Sequence, residues 1–238
     1  MKSQMSTPPK SGLGDAQIPG SDSLGRDSKR KLKELRSQKA LFLDSFVAMA
    51  TGENQSIYVL DFWMLAVVNR SVSTIDAFCD LTKKQNYLSA FSMVRLHLDT
   101  LLRLYATTLV DDCNGLVLKL MDEQLLRKEK DRTGNPMNDA YLVKKLSEDF
   151  GLDWVAPVYS KTSGFIHLSK THIYSPMKEF DDENWSMNIM ISERAKYRPD
   201  LEIEAIDCMS HISKLLLQML KEWSSEKPTL KPTKSLGE

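Results

Sequence analysis

Four polar side chains, Ser92, Arg95, Asp99 and Arg103, recur at steps of three and four along an otherwise apolar stretch of the chain. On a helix, such steps share one face. Arg95 and Asp99 form an i,i+4 pair in which each holds the other's rotamer. A guanidinium there is positioned either for an anionic ligand or for a structural ion pair with a neighbouring helix. Downstream, Ser160, Ser163, Gly164 and His167 lie on the polar side of a second segment. An imidazole beside a serine could serve as a general base or as a hydrogen-bonding anchor across a helix pair. Gly164 costs helix stability relative to alanine, so a close neighbour is expected there. Unpaired charge is expensive on apolar helices, so the two polar faces are expected to meet. Arg95 and Asp99 should then contact the helix that carries Ser163 and His167.

No metal ion or cofactor is predicted. His167 and His172 are five residues apart, about 140° around a helix, and so do not share a face as an i,i+4 zinc pair does. The sequence has no HExxH, no Glu-x-x-His pair, no Gly-rich phosphate loop and no GxSxG elbow. Its three cysteines, Cys79, Cys113 and Cys208, are odd in number and far apart. They make no disulfide framework and no CxxC metal pair, which points to a reducing, cytoplasmic setting. The first residues lack the apolar core of a secretory signal, and apolar runs such as 63–68 fall far short of the ~18 residues a bilayer span needs, so no membrane insertion is expected.

The elements that must position these residues are helical. Apolar residues at steps of three and four predict helices over 28–50, 56–82, 87–110, 115–129, 138–150, 154–173 and 200–223. The third is apolar on most of its circumference and should be central. Between 175 and 194, polar and apolar residues alternate across an acidic turn, which suggests a small β-hairpin or a flap. The expected class is all-α: an antiparallel bundle of six to seven helices with at most that one hairpin. A single domain over 28–224 lies between tails at 1–27 and 225–238 that are too polar to repay the entropy of ordering.

The 238 residues carry 32 Lys and Arg against 32 Asp and Glu. Residues 1–40 hold nine basic against four acidic residues, whereas 41–220 hold 19 against 25. Phosphate-backbone affinity comes largely from Lys and Arg displacing counterions, so non-specific DNA binding by this acidic body is disfavoured. The basic stretch 29–39 reads as solvated helical turns, or else as a contact for nucleic acid or an acidic partner.

Asn86 to Asp99, with Arg95 and Asp99 on its polar face, and Tyr159 to Ser169, with Ser163 and His167, together resemble a group of bacterial all-α proteins related to the HEPN-like helical domains that bind nucleotides and RNA. The similarity covers about residues 56–175. It implies a role in stress or phage defence. For the ribonuclease members it implies a His base toward a 2′-hydroxyl and an Arg on the phosphate. In this chain His167 would be that base, with Arg95 or Lys161 on the phosphate. Lys161 stands where those nucleases carry Arg, and lysine holds phosphate only as a point charge.

Three functional readings follow. The first is a non-catalytic interaction module that binds a protein partner or itself. The second is a metal-independent ribonuclease using His167 with Arg95 or Lys161. The third is a nucleotide or small-anion binder whose pocket between helices involves Arg95, Asp99, Arg103 and Ser163. A homodimer through Trp185, Met187 and Met190 is expected, because a hairpin cannot bury both of its faces alone.

Overall fold

The computed structural model describes residues 24–51, 57–174, 177–181, 186–189 and 199–227. In chain order the elements are α1 (Arg26–Ala50), α2 (Val59–Lys83), α3 (Tyr87–Thr108), α4 (Cys113–Met121), a 3₁₀ turn (Leu126–Lys128), α5 (Asp139–Phe150), α6 (Val155–Ile166), α7 (Lys170–Tyr174), β1 (Met177–Asp181), β2 (Ser186–Ile189) and α8 (Pro199–Glu226). The protein is an all-α bundle with one two-stranded antiparallel hairpin, in which Phe180 is opposite Met187 and Asp181 is opposite Ser186. Among the described residues no helix is long and apolar enough to cross a membrane.

Helix boundaries follow local chemistry. The Asn86 side chain caps α3 by accepting from the Ser89 amide, and Asn138 caps α5 by accepting from Tyr141. Gly151 ends α5 in the left-handed conformation, with φ 64°. α3 buries residues around its whole circumference, from Tyr87 and Val94 to Leu101, Leu104 and Tyr105. Accordingly it is the central helix, packed against α2, α5, α6 and α8. Each buried leucine contributes about 1.5–3 kcal/mol relative to exposure. α1 lies outside this layer, between α2 and α8.

Direction is where the bundle departs from the expected antiparallel scheme. Pairs such as Arg36 with Asp80 and Lys39 with Asp76 make α1 and α2 antiparallel. The pairs Lys31–Asp207 and Gln38–Ser210 run α8 parallel to α1, and Tyr87–Glu202 and His97–Ser213 run it parallel to α3. Short connections force antiparallel neighbours. The long path from α3 to α8 imposes no direction.

Three boundaries also differ. The helix expected over 115–129 stops at Met121, because Glu123 takes a positive φ of 60°. The helix expected over 154–173 breaks after Ile166: His167 is extended (φ −102°, ψ 146°), and the Ser169 hydroxyl donates to the Gly164 carbonyl at 2.6 Å. A side chain thereby takes the acceptor that the next helical turn would use. That break makes eight α-helices among the described residues rather than six or seven. At the ends, Leu24 is buried and α1 begins at Arg26, while α8 continues to Glu226 and the Lys227 side chain is buried. The expected bounds of 28 and 224 thus fall inside described structure, and the rest of the two expected tails, 1–23 and 228–238, lies outside the described residues.

Half of the basic stretch of α1 pairs with neighbouring helices, while Lys29, Arg30 and Lys33 stay on the exposed face. Lys31 pairs with Asp207 at 2.6 Å, Arg36 with Asp80 and Asp76, and Lys39 with Asp76, while Arg30 bridges Asp27 and Glu34.

Candidate functional site

The polar stripe of α3 meets two other helices. Arg95, with only 12% of its side chain exposed, stacks on the Tyr159 ring of α6 at 4.0 Å. It lies 3.7 Å from Asp99 and 3.5 Å from Asp139, the first residue of α5. Arg103 reaches the same two carboxylates, Asp139 at 2.7 Å and Asp99 at 3.2 Å. The Tyr159 hydroxyl donates to Asp139 at 3.0 Å. Burial alone would raise the Asp139 carboxyl, but the Arg103 hydrogen bond and charge, Tyr159 and Arg95 together hold it below the usual carboxylate range. Its place in the first turn of α5 also suits a negative charge. Burial raises the Tyr159 phenol, with Arg95 opposing and Asp139 reinforcing the shift.

The stripe continues into a cleft between α2 and α3. A space of about 150 Å³ is lined by Trp63, Ala66, Val67 and Arg70 from α2 and by Asp99, Thr100 and Arg103 from α3. Arg70 Nε donates to Thr100 Oγ1 at 2.9 Å, and its Nη2 lies 3.9 Å from Asp99, so half of this guanidinium remains in solvent. Trp63 Nε1 is buried and has no acceptor among the described residues. Around the cleft, three guanidinium groups (Arg70, Arg95, Arg103) face two carboxylates (Asp99, Asp139), a surplus of one positive charge.

Of the residues singled out in the sequence, Arg95, Asp99 and Arg103 come together. Ser92 ties this helix to α6 through the Phe165 carbonyl at 2.9 Å. The other three do not join them. Ser163 Oγ donates back to the Tyr159 carbonyl at 2.7 Å. Lys161 points to α8, where it pairs with Glu204 at 2.7 Å beside a small apolar slot lined by Phe91, Val158, Phe165 and Cys208. His167 is exposed at the end of α6, and its ring has no hydrogen-bond partner among the described residues. His97, the histidine of α3, is fully buried against Ser213 Oγ at 2.8 Å and pushed down to about 3 by burial and by the Arg70 charge, so it stays neutral.

Arg70, Asp139, Tyr159 and Trp63 were not picked out as site residues. Arg70 did leave a signal: it is the one basic residue of α2 before Lys83. Asp139 and Tyr159 left none, since their partners on α3 are more than 35 residues away. Among the described residues no group of three or more His, Cys, Asp or Glu could hold a metal ion. Comparison of the chain with protein-family models, with curated proteins and with solved structures found no match.

Proposed function

We propose that this protein is a non-catalytic helical binding module whose α2–α3 cleft takes a small oxyanion, a phosphate or carboxylate group borne by a small molecule. The observation that carries this reading is a surplus of donors. Arg70 keeps part of its guanidinium uncommitted, the cleft has one positive charge more than its carboxylates neutralise, and the Trp63 indole is a buried donor without an acceptor. Buried donors normally find acceptors, and guanidinium groups bind oxyanions through paired, charge-assisted hydrogen bonds. The same pocket chemistry serves a nucleotide phosphate or a free anion. A ribonuclease reading draws less support, because it needs a cation beside His167. Lys161 is committed to Glu204, and Arg95 is committed to Asp99, Asp139 and Tyr159.

The test is thermal unfolding and calorimetric titration with inorganic phosphate, against potassium chloride of matched ionic strength. Binding to the folded state alone raises the melting temperature by mass action. Phosphate should stabilise the protein beyond the chloride control, and Arg70→Gln should abolish that gain while Lys161→Gln keeps it. No gain over chloride, or an equal gain in Arg70→Gln, would refute the site.

A further inference from the structure

The α2–α3 cleft has a polar end and an apolar end. Trp63, Ala66, Val67 and Arg70 line it from α2 at steps of three, one and three, so they share one helix face. Seven residues at 1.5 Å each put about 10 Å of helix axis between Trp63 and Arg70. At the polar end, Arg70 Nε donates to Thr100 Oγ1 across the cleft, and the Arg70 side chain is 49% exposed. Arg103 lines the same space and reaches Asp99 and Asp139 through its Nη2. A guanidinium carries five N–H donors, so both arginines keep donors for a ligand. Toward the other end the wall is the Trp63 ring, the Ala66 methyl and the Val67 side chain. Apart from the indole N–H, that wall is hydrocarbon.

We propose that the occupant of this cleft is a small aromatic monocarboxylate, an acid of benzoate size whose carboxylate pairs with Arg70 and Arg103 and whose ring lies against Trp63. The assignment rests on the oxyanion reading of the cleft and adds the body that carries the anion and its charge. Three observations select this ligand class. First, the cleft has one positive charge more than Asp99 and Asp139 neutralise. A carboxylate brings one negative charge at neutral pH, whereas a phosphate group brings about 1.5 to 2 and would set the excess against those two aspartates. A carboxylate also matches the planar guanidinium fork in a bidentate pair. Second, the space is about 150 Å³. An apolar protein cavity of roughly that volume holds one benzene ring, so a base, a sugar and a phosphate together do not fit. Third, an inorganic anion offers the hydrocarbon wall nothing to cover it, whereas a ring removes Trp63, Ala66 and Val67 from water and stacks on the indole. The homodimer expected through Trp185, Met187 and Met190 has no part in this site, and the side chains of those residues lie outside the described residues.

Calorimetric titration of the full chain with benzoate, acetate and inorganic phosphate at matched ionic strength tests the assignment. Benzoate should bind at least about tenfold more tightly than acetate or phosphate, because only its ring covers the apolar wall. Arg70→Gln should lose benzoate and acetate alike, and Trp63→Leu should bring benzoate level with acetate. Trp63 packs partly against the core, so a second variant guards against misfolding. Ala66 is exposed and leucine suits a helix, so Ala66→Leu should keep the circular dichroism spectrum of the parent chain while its longer side chain fills the space for the ring. That variant should lose the preference for benzoate over acetate. Benzoate no tighter than acetate or phosphate, or a benzoate preference unchanged in Ala66→Leu, would overturn the aromatic acid and leave the oxyanion site standing. Failure of all three anions to bind would overturn both.

Discussion

Replacing Asp61 with alanine should remove about 3–5 kcal/mol of stability, the cost of leaving a buried cation without its counter-charge. The carboxylate sits where three helices end. Its Oδ2 accepts the Tyr58 amide at 2.8 Å and the Lys227 ammonium at 2.8 Å, while its Oδ1 accepts the Trp223 indole at 2.9 Å. The Asp61 and Lys227 side chains are 9% and 10% exposed. Lys227 also donates to the Met49 carbonyl at 3.0 Å, so the C-terminal end of α1, the start of α2 and the end of α8 are pinned together. Without Asp61, the ammonium keeps one neutral acceptor, and the indole and the Tyr58 amide lose theirs. A net stability of 5–15 kcal/mol is usual for a domain, so this loss would bring the protein near its folding threshold. The measurement is urea unfolding at neutral pH, followed by circular dichroism and tryptophan fluorescence. Two companions make the reasoning specific. Deleting residues 227–238 should cost nearly as much as Asp61→Ala. Asp61→Asn with Lys227→Met should recover much of the loss, because a buried pair removed as a pair leaves no lone charge. A loss below about 1 kcal/mol for Asp61→Ala, or no recovery in the double variant, would refute the argument.

Two further outcomes are expected from the buried titrating groups. His97 is held down to about 3, whereas an unfolded histidine titrates near 6.5. Above about 6.5 both states are neutral; as pH falls toward 3, the unfolded chain takes a proton that the fold refuses, and stability drops by up to about 1.4 kcal/mol per pH unit. Urea midpoints between pH 6.5 and 4.5, a window above the carboxylates, should show this slope, and His97→Gln should flatten it; an equal slope in the variant would count against the assignment. Tyr159→Phe should remove the hydrogen bond to Asp139, cost about 1 kcal/mol while keeping the Arg95 stack, and raise the Asp139 carboxyl toward its ordinary value. The stability that Asp139 contributes above the ordinary carboxylate range would then be lost at a higher pH as acid is added, and an unmoved Asp139 resonance in an NMR titration would contradict this.

The amino-acid sequence by itself determined the helices, the central place of α3 and the ion-paired stripe on it. Each depends on residues within one or two turns of one another. Leu98, Leu101, Leu102 and Leu104 surround the helix, Asn86 caps it, and Arg95, Asp99 and Arg103 share a face whatever packs against them. The break after Ile166 was less legible, because Ser169 competes for a carbonyl five residues back, and a periodicity window averages over that bond. Once the helix broke, His167 left the face it would have shared with Ser163. Only the tertiary structure decided what the stripe became. Arg95 and Arg103 required a second carboxylate, and Asp139 supplied it from the start of α5; Tyr159 supplied a ring and a hydroxyl from α6, and Arg70 opened the cleft from α2. The direction of α8 and the burial of Lys227 were decided in the same way. Both depend on contacts that cross more than 100 residues, where chain connectivity imposes no geometry and the energy of a buried charge selects its partner.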